Sequence, residues 1–106
     1  MTQADRKSLN KLAARIRERY PDARVLAFGS RVRGNNTAES DLDVCVVLDR
    51  RVSRADKDWI GDLAWDVGYP DDRIISTIVF EREAFEQGPQ AVSPLVEHIR
   101  GEGIAA

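Results

Sequence analysis

The segment Val44-Cys-Val-Val-Leu48 is continuously apolar. A run of this kind fits a strand whose two faces are both covered, because a half-exposed strand alternates between apolar and polar residues. It follows directly on Asp41-Leu-Asp43. We therefore predict one strand over residues 41–48, with two carboxylates at its start. This strand must lie inside the fold, and the other elements have to be built around it.

Apolar residues recur at helical spacing on both sides of this strand. Residues 4–20 form a predicted amphipathic helix that ends at Pro21-Asp22. A second helix is predicted to start near Ser53, since Asp56 is spaced to reach back to such a cap, and to have Gly68 as its C-cap. We interpret its apolar stripe as core: Trp59, Ile60, Leu63, Ala64 and Val67.

Two further strands are predicted, over residues 23–28 and over the β-branched segment 73–80. Short helices are predicted over 81–87 and over 94–100, the latter stopped by Gly101. The polar segment 31–40 is predicted to be rich in turns, with Gly34, Asn35 and Asn36 as its main breakers. The order of elements predicts an α+β fold, an α/β sandwich with a small mixed sheet of three or more strands and helices on one face.

Length and composition narrow the class of protein. With 106 residues the chain is predicted to be one domain, 1–106, whose thin core is compatible with an oligomer or an obligate partner. The net charge of -2 argues against direct nucleic-acid binding, since such domains are usually basic. Cys45 is the only cysteine, which excludes an intrachain disulfide. The charged N-terminus and the lack of a long apolar run predict a cytoplasmic protein without a membrane partner.

The spacing of Asp41 and Asp43 places both carboxylates on one face of the predicted strand. Two anions at the start of an apolar strand repel each other unless a cation lies between them. Oxygen ligands favour magnesium, with manganese as the second choice. Taken alone, the same pattern also fits an ordinary polar strand edge.

Gly29-Ser30 lies where the strand 23–28 ends. Glycine lets a backbone approach a phosphate, Ser30 adds a hydroxyl donor, and a short helical turn from Ser30 to Arg33 would offer free N–H groups. Arg31 and Arg33 are candidates to add positive charge. A glycine-serine turn alone means little. A phosphate-binding turn followed about ten residues later by paired carboxylates on the next strand is far more informative.

The pattern Gly29-Ser-Arg-Val-Arg-Gly34 followed by Ser40-Asp-Leu-Asp43 resembles the signature of the polymerase β-type nucleotidyltransferase superfamily. It is most similar to the minimal nucleotidyltransferase (MNT) proteins of HEPN/MNT toxin–antitoxin pairs. The C-terminal segment from Ser93 to Ile104 is also similar to theirs, so the resemblance covers nearly the whole chain.

This resemblance implies a nucleotidyltransferase fold in which Gly29 and Ser30 hold a nucleoside triphosphate, with ATP as the substrate. It implies that Asp41 and Asp43 are catalytic residues that bind two magnesium ions. The nucleotidyl group would move to an acceptor hydroxyl and pyrophosphate would leave. The resemblance further implies an antitoxin that binds a HEPN-family ribonuclease toxin and adenylylates it.

One departure from the family pattern concerns a third carboxylate, expected on the strand after the second helix. Residues 74–80 contain no acid, and Ser76, with Thr77 second, is predicted to stand at that position. The flanking acids are predicted to lie too far along the chain to replace it: Asp71, Asp72, Glu81 and Glu83. Three functions stay open: an active transferase, a weakened module that inhibits a partner by binding, and a nucleotide sensor. The lone His98 is predicted to be structural or exposed.

Overall fold

A four-stranded mixed sheet organises the part of the chain that the computed structural model describes, residues 1–34 and 40–106. Its strands are β1 (Arg24–Phe28), β2 (Leu42–Leu48), β3 (Ile75–Glu81) and β4 (Ile104–Ala105). The α-helices within these residues are α1 (Gln3–Arg19), α2 (Ser30–Arg33), α3 (Arg54–Gly68), α4 (Arg82–Glu86) and α5 (Pro94–Glu102). Single 3-10 turns lie at Tyr69–Asp71 and Pro89–Val92. The predicted α+β class with a mixed sheet is confirmed.

The strand order is β3-β2-β1-β4. β1 pairs antiparallel with both β2 and β4, and β2 pairs parallel with β3. The parallel pair needs a crossover connection, which α3 supplies. β2 therefore lies between two strands, and its apolar half is buried on both faces, as the continuous apolar run predicted.

The two faces of the sheet carry separate cores. α1 and α3 cover one face, where they pack on the β2 side chains that alternate from Leu42 to Leu48. The short helices α4 and α5 cover the other face, through a smaller cluster: Leu26, Cys45, Val47, Phe85, Val96 and Ile99. The prediction of helices on one face thus holds for the two long helices but is wrong for the two short ones.

The helix starts predicted from the sequence agree with the structure better than the predicted helix ends do. Ser53 caps α3 and forms the predicted reciprocal pair of bonds with Asp56. Gly68, predicted as the C-cap, is instead the last residue of the helix, with φ -81°, and Tyr69 is the C-cap. Gly68 is required there because a Cβ would collide with the carbonyl oxygen of Arg73. The predicted stop of α5 at Gly101 is also wrong, since the helix continues to Glu102 and Gly103 follows it.

Smaller differences concern the strands and the loop. Asp41 precedes β2 by one residue, and the fourth strand, β4, was not predicted. Gly34 adopts a left-handed conformation at the end of α2 and confirms the predicted break, whereas Asn35 and Asn36 lie outside the described residues. Among the helices described, none is long and apolar enough to cross a membrane.

Candidate active site

The turn after β1 is built around Gly29. Its backbone has φ +84° and ψ -159°, a combination that is essentially confined to glycine. Its carbonyl oxygen accepts hydrogen bonds from the amides of Val32 and Arg33, both at 3.1 Å, which start the short helix α2. The helical turn from Ser30 to Arg33 that the sequence predicted is therefore present.

Gly29 lies directly against the carboxylate of Asp43. Phe28 and Asp43 are paired across β1 and β2, so the turn begins beside this side chain. A Cβ on residue 29 would stand 2.5 Å from Asp43 Oδ2, where nothing heavier than hydrogen fits. The glycine turn and the carboxylate pair, separate signals in the sequence, form one site in the structure.

Ser76, on the neighbouring strand β3, lies beside the carboxylates of Asp41 and Asp43. It is the parallel partner of Asp43 on β3, and its Oγ donates a hydrogen bond of 2.9 Å to Asp41 Oδ2. Thr77 pairs with Val44 and therefore points to the opposite face of the sheet. Of the two hydroxyls considered from the sequence, Ser76 is the one beside the aspartates.

The electrostatic surroundings of Asp41 and Asp43 favour the binding of a cation. Burial raises the pKa of Asp43 above its ordinary value, the charge of Asp41 raises it further, and Arg33 acts in the opposite direction. The ionised form of Asp43 is therefore less favourable here than in water, and a cation beside it favours that form. Within residues 1–34 and 40–106, no further histidine, cysteine or acidic side chain joins the two aspartates in a metal-binding group.

The two arginines of α2 take opposite directions. Arg31 is buried: its Nη1 lies 3.2 Å from Asp5 Oδ1, and its Nε donates to the Ser40 carbonyl oxygen at 2.8 Å. Arg73 also pairs with Asp5, whose side chain is almost wholly buried. Arg31 thus ties α2 to α1 through an internal ion cluster, and it also lines the cavity beside Asp41.

Arg33 turns instead toward α5. Its Nη1 lies 2.8 Å from His98 Nε2 and 3.5 Å from Glu102 Oε2. His98 and Glu102 are one helical turn apart, and their Nε2 and Oε2 atoms are 3.0 Å apart. His98, predicted as structural or exposed, is exposed but has partners beside the site. The spacing of His98 and Glu102 is visible in the sequence, whereas their approach to Arg33 depends on how α5 packs.

The flanking acids divide between the two ends of β3. Asp71 and Asp72 line a cavity of about 410 Å³ that Arg31, Ser40 and Asp41 also line, so they lie at the same end of the sheet as Asp41. Glu81 lies at the far end of the strand, where it accepts a hydrogen bond from the Val52 amide at 3.2 Å.

A mixed sheet with a glycine turn on one strand and paired carboxylates at the start of the next defines an α+β domain of the nucleotidyltransferase type. The chain belongs to the nucleotidyltransferase domain family, whose model matches residues 9–100. No curated protein matches the chain significantly.

Two solved structures are similar to this chain. One, described as the crystal structure of a toxin–antitoxin with AMP-PNP, is 15% identical with a TM-score of 0.59, and the match covers 90% of this chain and 69% of that one. Another, a putative nucleotidyltransferase from Sulfolobus solfataricus, is 18% identical with a TM-score of 0.45, covering 99% of this chain and 87% of that one. The first match supports the assignment of the fold.

Proposed function

We propose that this protein transfers a nucleotidyl group from a magnesium-bound nucleoside triphosphate, with ATP as the donor, to a hydroxyl group of a partner protein. The observation that carries the proposal is the contact between Gly29 and Asp43, where a Cβ would stand 2.5 Å from the carboxylate. A turn suited to phosphate and a carboxylate suited to a cation are thus adjacent. Membership of the nucleotidyltransferase domain family supports the same reaction.

In this proposal Gly29 and Ser30 hold the triphosphate and Arg33 adds positive charge. Arg31 is left out of this role because it is paired with Asp5 in the interior. Asp41 and Asp43 hold two Mg²⁺ ions, and Mn²⁺ suits the same oxygen ligands. When bound, the metal neutralises charge on the phosphates and favours the ionised form of an attacking hydroxyl.

The transfer step forms one bond and breaks another. The acceptor oxygen bonds to the α-phosphorus, the bond from that phosphorus to the oxygen bridging the β-phosphate breaks, and pyrophosphate leaves. The acceptor proton passes to water or to a base that the partner supplies. Catalysis of this kind depends mainly on positioning and charge stabilisation, which the rigid start of β2 is suited to provide.

We further propose that the partner is a HEPN-family toxin and that this protein is its antitoxin. The similarity to MNT sequences supports this role. Exposed apolar surface supports a protein partner: Trp65 and Tyr69 stack with ring centroids 5.9 Å apart, and Ile74 is exposed at the start of β3. Exposed acids lie near them in the sequence, which favours a partner with a basic face: Asp62, Asp66, Asp71 and Asp72.

One observation favours a second candidate, a module that neutralises its partner by binding alone. Ser76 stands beside the carboxylate pair, where the family pattern leads us to expect a third acid, and its hydroxyl already donates to Asp41. A serine does not act as a general base near neutral pH. A nucleotide sensor, which binds ATP without transfer, is the third candidate.

Labelled ATP separates these candidates. The protein is incubated with Mg²⁺, α-labelled ATP and the protein encoded beside it, in wild-type form and as Asp41→Asn and Asp43→Asn. Transfer of label that both substitutions abolish supports the transferase. Absence of transfer, with inhibition of the toxin that survives both substitutions, supports binding alone. Calorimetric binding of ATP with Mg²⁺ but no transfer and no inhibition indicates the sensor.

The partner surface has its own matched test. Trp65→Ser with Tyr69→Ser removes exposed apolar area at the end of α3, and Val92→Ser with Leu95→Ser removes exposed apolar area around the start of α5. Only the first pair is expected to weaken binding of the partner, by about tenfold or more. Equal loss from both pairs contradicts this location of the interface.

A further inference from the structure

Three side chains from two helices meet beside the glycine turn: Arg33 of α2 and the pair His98 and Glu102 of α5. Arg33 belongs to the turn itself, since its backbone amide donates to the Gly29 carbonyl oxygen at 3.1 Å. Its guanidinium reaches α5, where Nη1 lies 2.8 Å from His98 Nε2. The orientation of this cation therefore depends on a residue outside the turn.

Stability alone does not account for this cluster. The side chains of Arg33, His98 and Glu102 are 38%, 47% and 38% exposed. Ion pairs exposed to this extent contribute little to folding, because water screens the charges and two long side chains lose rotamer freedom. α5 is held instead by its buried residues Val96 and Ile99, which pack on the small core. The contact of His98 with Arg33 is not needed to dock the helix.

The 2.8 Å contact between Arg33 and His98 has a defined direction. A guanidinium has only donors, so Arg33 Nη1 bonds to Nε2 only when that nitrogen carries a lone pair. The same Nε2 lies 3.0 Å from Glu102 Oε2, and this oxygen lies 3.5 Å from Arg33 Nη1. Arg33 therefore has two acceptors on α5, an imidazole nitrogen at 2.8 Å and a more distant carboxylate.

We propose that His98 is a positioning residue: it fixes the Arg33 guanidinium beside the glycine turn, ready to contact the phosphates of the bound nucleotide. The proposal rests on the function proposed above and adds a residue outside the signature. Holding Arg33 from one side removes rotamer freedom before the anion arrives, so less entropy is lost on binding. Arg33 also moderates the raised pKa of Asp43, which places its charge within reach of the reacting groups.

Calorimetry with ATP and Mg²⁺ tests this role in a double-mutant cycle. Arg33→Ala is expected to weaken binding by about tenfold or more, because it removes a charged contact. His98→Ala is expected to weaken binding by about fivefold in the wild-type background and by less than about twofold when combined with Arg33→Ala. His98→Gln, which offers an amide oxygen to the guanidinium, is expected to restore binding to within about twofold.

Glu97→Ala is the matched control, since Glu97 is exposed on α5 next to His98. It is expected to bind ATP as the wild type does, and all variants are expected to keep the wild-type melting temperature within about 2 °C. If His98→Ala has the same effect with and without Arg33, or has no effect, the positioning role is wrong while the proposed function stands. If the wild type does not bind ATP with Mg²⁺, the proposed function fails first and the inference fails with it.

Discussion

Gly29 carries two constraints at one residue. Its φ and ψ lie in a region that side chains other than hydrogen rarely allow, and its Cα faces the carboxylate of Asp43. Gly29→Ala is therefore expected to lower the free energy of unfolding by about 3 kcal/mol or more and to displace Asp43. Urea denaturation measures the first effect, and calorimetric titration with ATP and Mg²⁺ measures the loss of binding that should accompany it.

Gly34 offers the matched control for this prediction. It also has positive φ, +80°, but a Cβ there meets nothing within 4 Å. Gly34→Ala is expected to cost only about 1–2 kcal/mol and to leave nucleotide binding nearly unchanged. Equal loss of binding in the two variants would show that backbone strain, and not the contact with Asp43, is what matters at Gly29.

The raised pKa of Asp43 predicts a stability cost for its ionised form, and Asp43→Asn tests this cost. Because burial and Asp41 raise its pKa in the folded state, the ionised carboxylate at neutral pH costs stability. The stability is fully present below the ordinary pKa of 3.8 and is lost as the pH rises through the raised value. Asp43→Asn is expected to melt a few degrees higher than the wild type at pH 7 in EDTA, and no higher at pH 3.

The exposed Asp62→Asn serves as the reference, with no expected change at either pH. A lower melting temperature for Asp43→Asn at pH 7 would contradict the direction of the shift. In the presence of Mg²⁺ and ATP the order should reverse, since only the wild type is expected to gain stability from the ligand.

Positions that depend on order along the chain could be predicted, whereas the direction in which a side chain points could not. The glycine turn and the aspartate pair follow from sequence order, and Ser76 follows from counting along a strand of known period. Arg31 and Arg33 are both next to the turn, but a residue pattern does not say which side of a four-residue helix faces Asp5 and which faces α5. The two arginines were therefore given one role, and the structure separates them.

At the scale of elements, Asp56 joins the start of α3 to the end of α1. Its carboxylate accepts from the Ser53 amide at 2.9 Å and from the Tyr20 hydroxyl at 2.7 Å, so it caps α3 and fastens the end of α1. The hydrogen bond from the Ser53 amide, followed by that from Tyr20, lowers the pKa of Asp56 to about 2. Asp56→Ala is expected to cost about 2–3 kcal/mol of stability, measured by urea denaturation.

The pH dependence has a defined sign. Since the folded pKa of Asp56 is depressed, its contribution is present above pH 4 and is lost as the pH falls toward about 2. The stability difference between wild type and Asp56→Ala should therefore shrink over that range. Asp58→Ala, an exposed neighbour on the same helix with one long contact to Arg54, is expected to stay within about 0.5 kcal/mol of the wild type at every pH.

The starts of helices could be predicted because a capping residue acts on its immediate neighbours. Some helix ends could not be predicted, since they depend on contacts with residues elsewhere in the fold. The Ser53–Asp56 spacing is enough to locate the start of α3. Gly68 instead permits the carbonyl of Arg73 to approach the helix, and Gly103 follows the end of α5 for a similar close contact with the Ile99 carbonyl. A glycine that serves a tertiary contact looks the same in a sequence as one that serves a left-handed turn.

At the scale of the whole molecule, one sheet separates two hydrophobic cores, each of which holds a different pair of helices. The larger core holds α1 and α3 against the sheet, and the smaller one, around Phe85 and Ile99, holds α4 and α5 on the face that carries Asp43. Alternation along β2 assigns Val44 and Val46 to the first core and Cys45 and Val47 to the second. The apolar run in the sequence predicted burial on both faces, but not which helices would cover each face.

The same substitution in the two cores should therefore have the same effect on stability and different effects on the site. Ile60→Val and Ile99→Val both remove one methylene from a fully buried side chain, and each is expected to cost about 0.5–1.5 kcal/mol in urea denaturation. Because Ile99 anchors α5, its variant is expected to speed amide hydrogen exchange in residues 94–102 and to weaken binding of ATP with Mg²⁺ by about twofold to threefold. Ile60→Val should leave both unchanged. If the two variants weaken nucleotide binding equally, the site depends on global stability and not on the smaller core that positions α5.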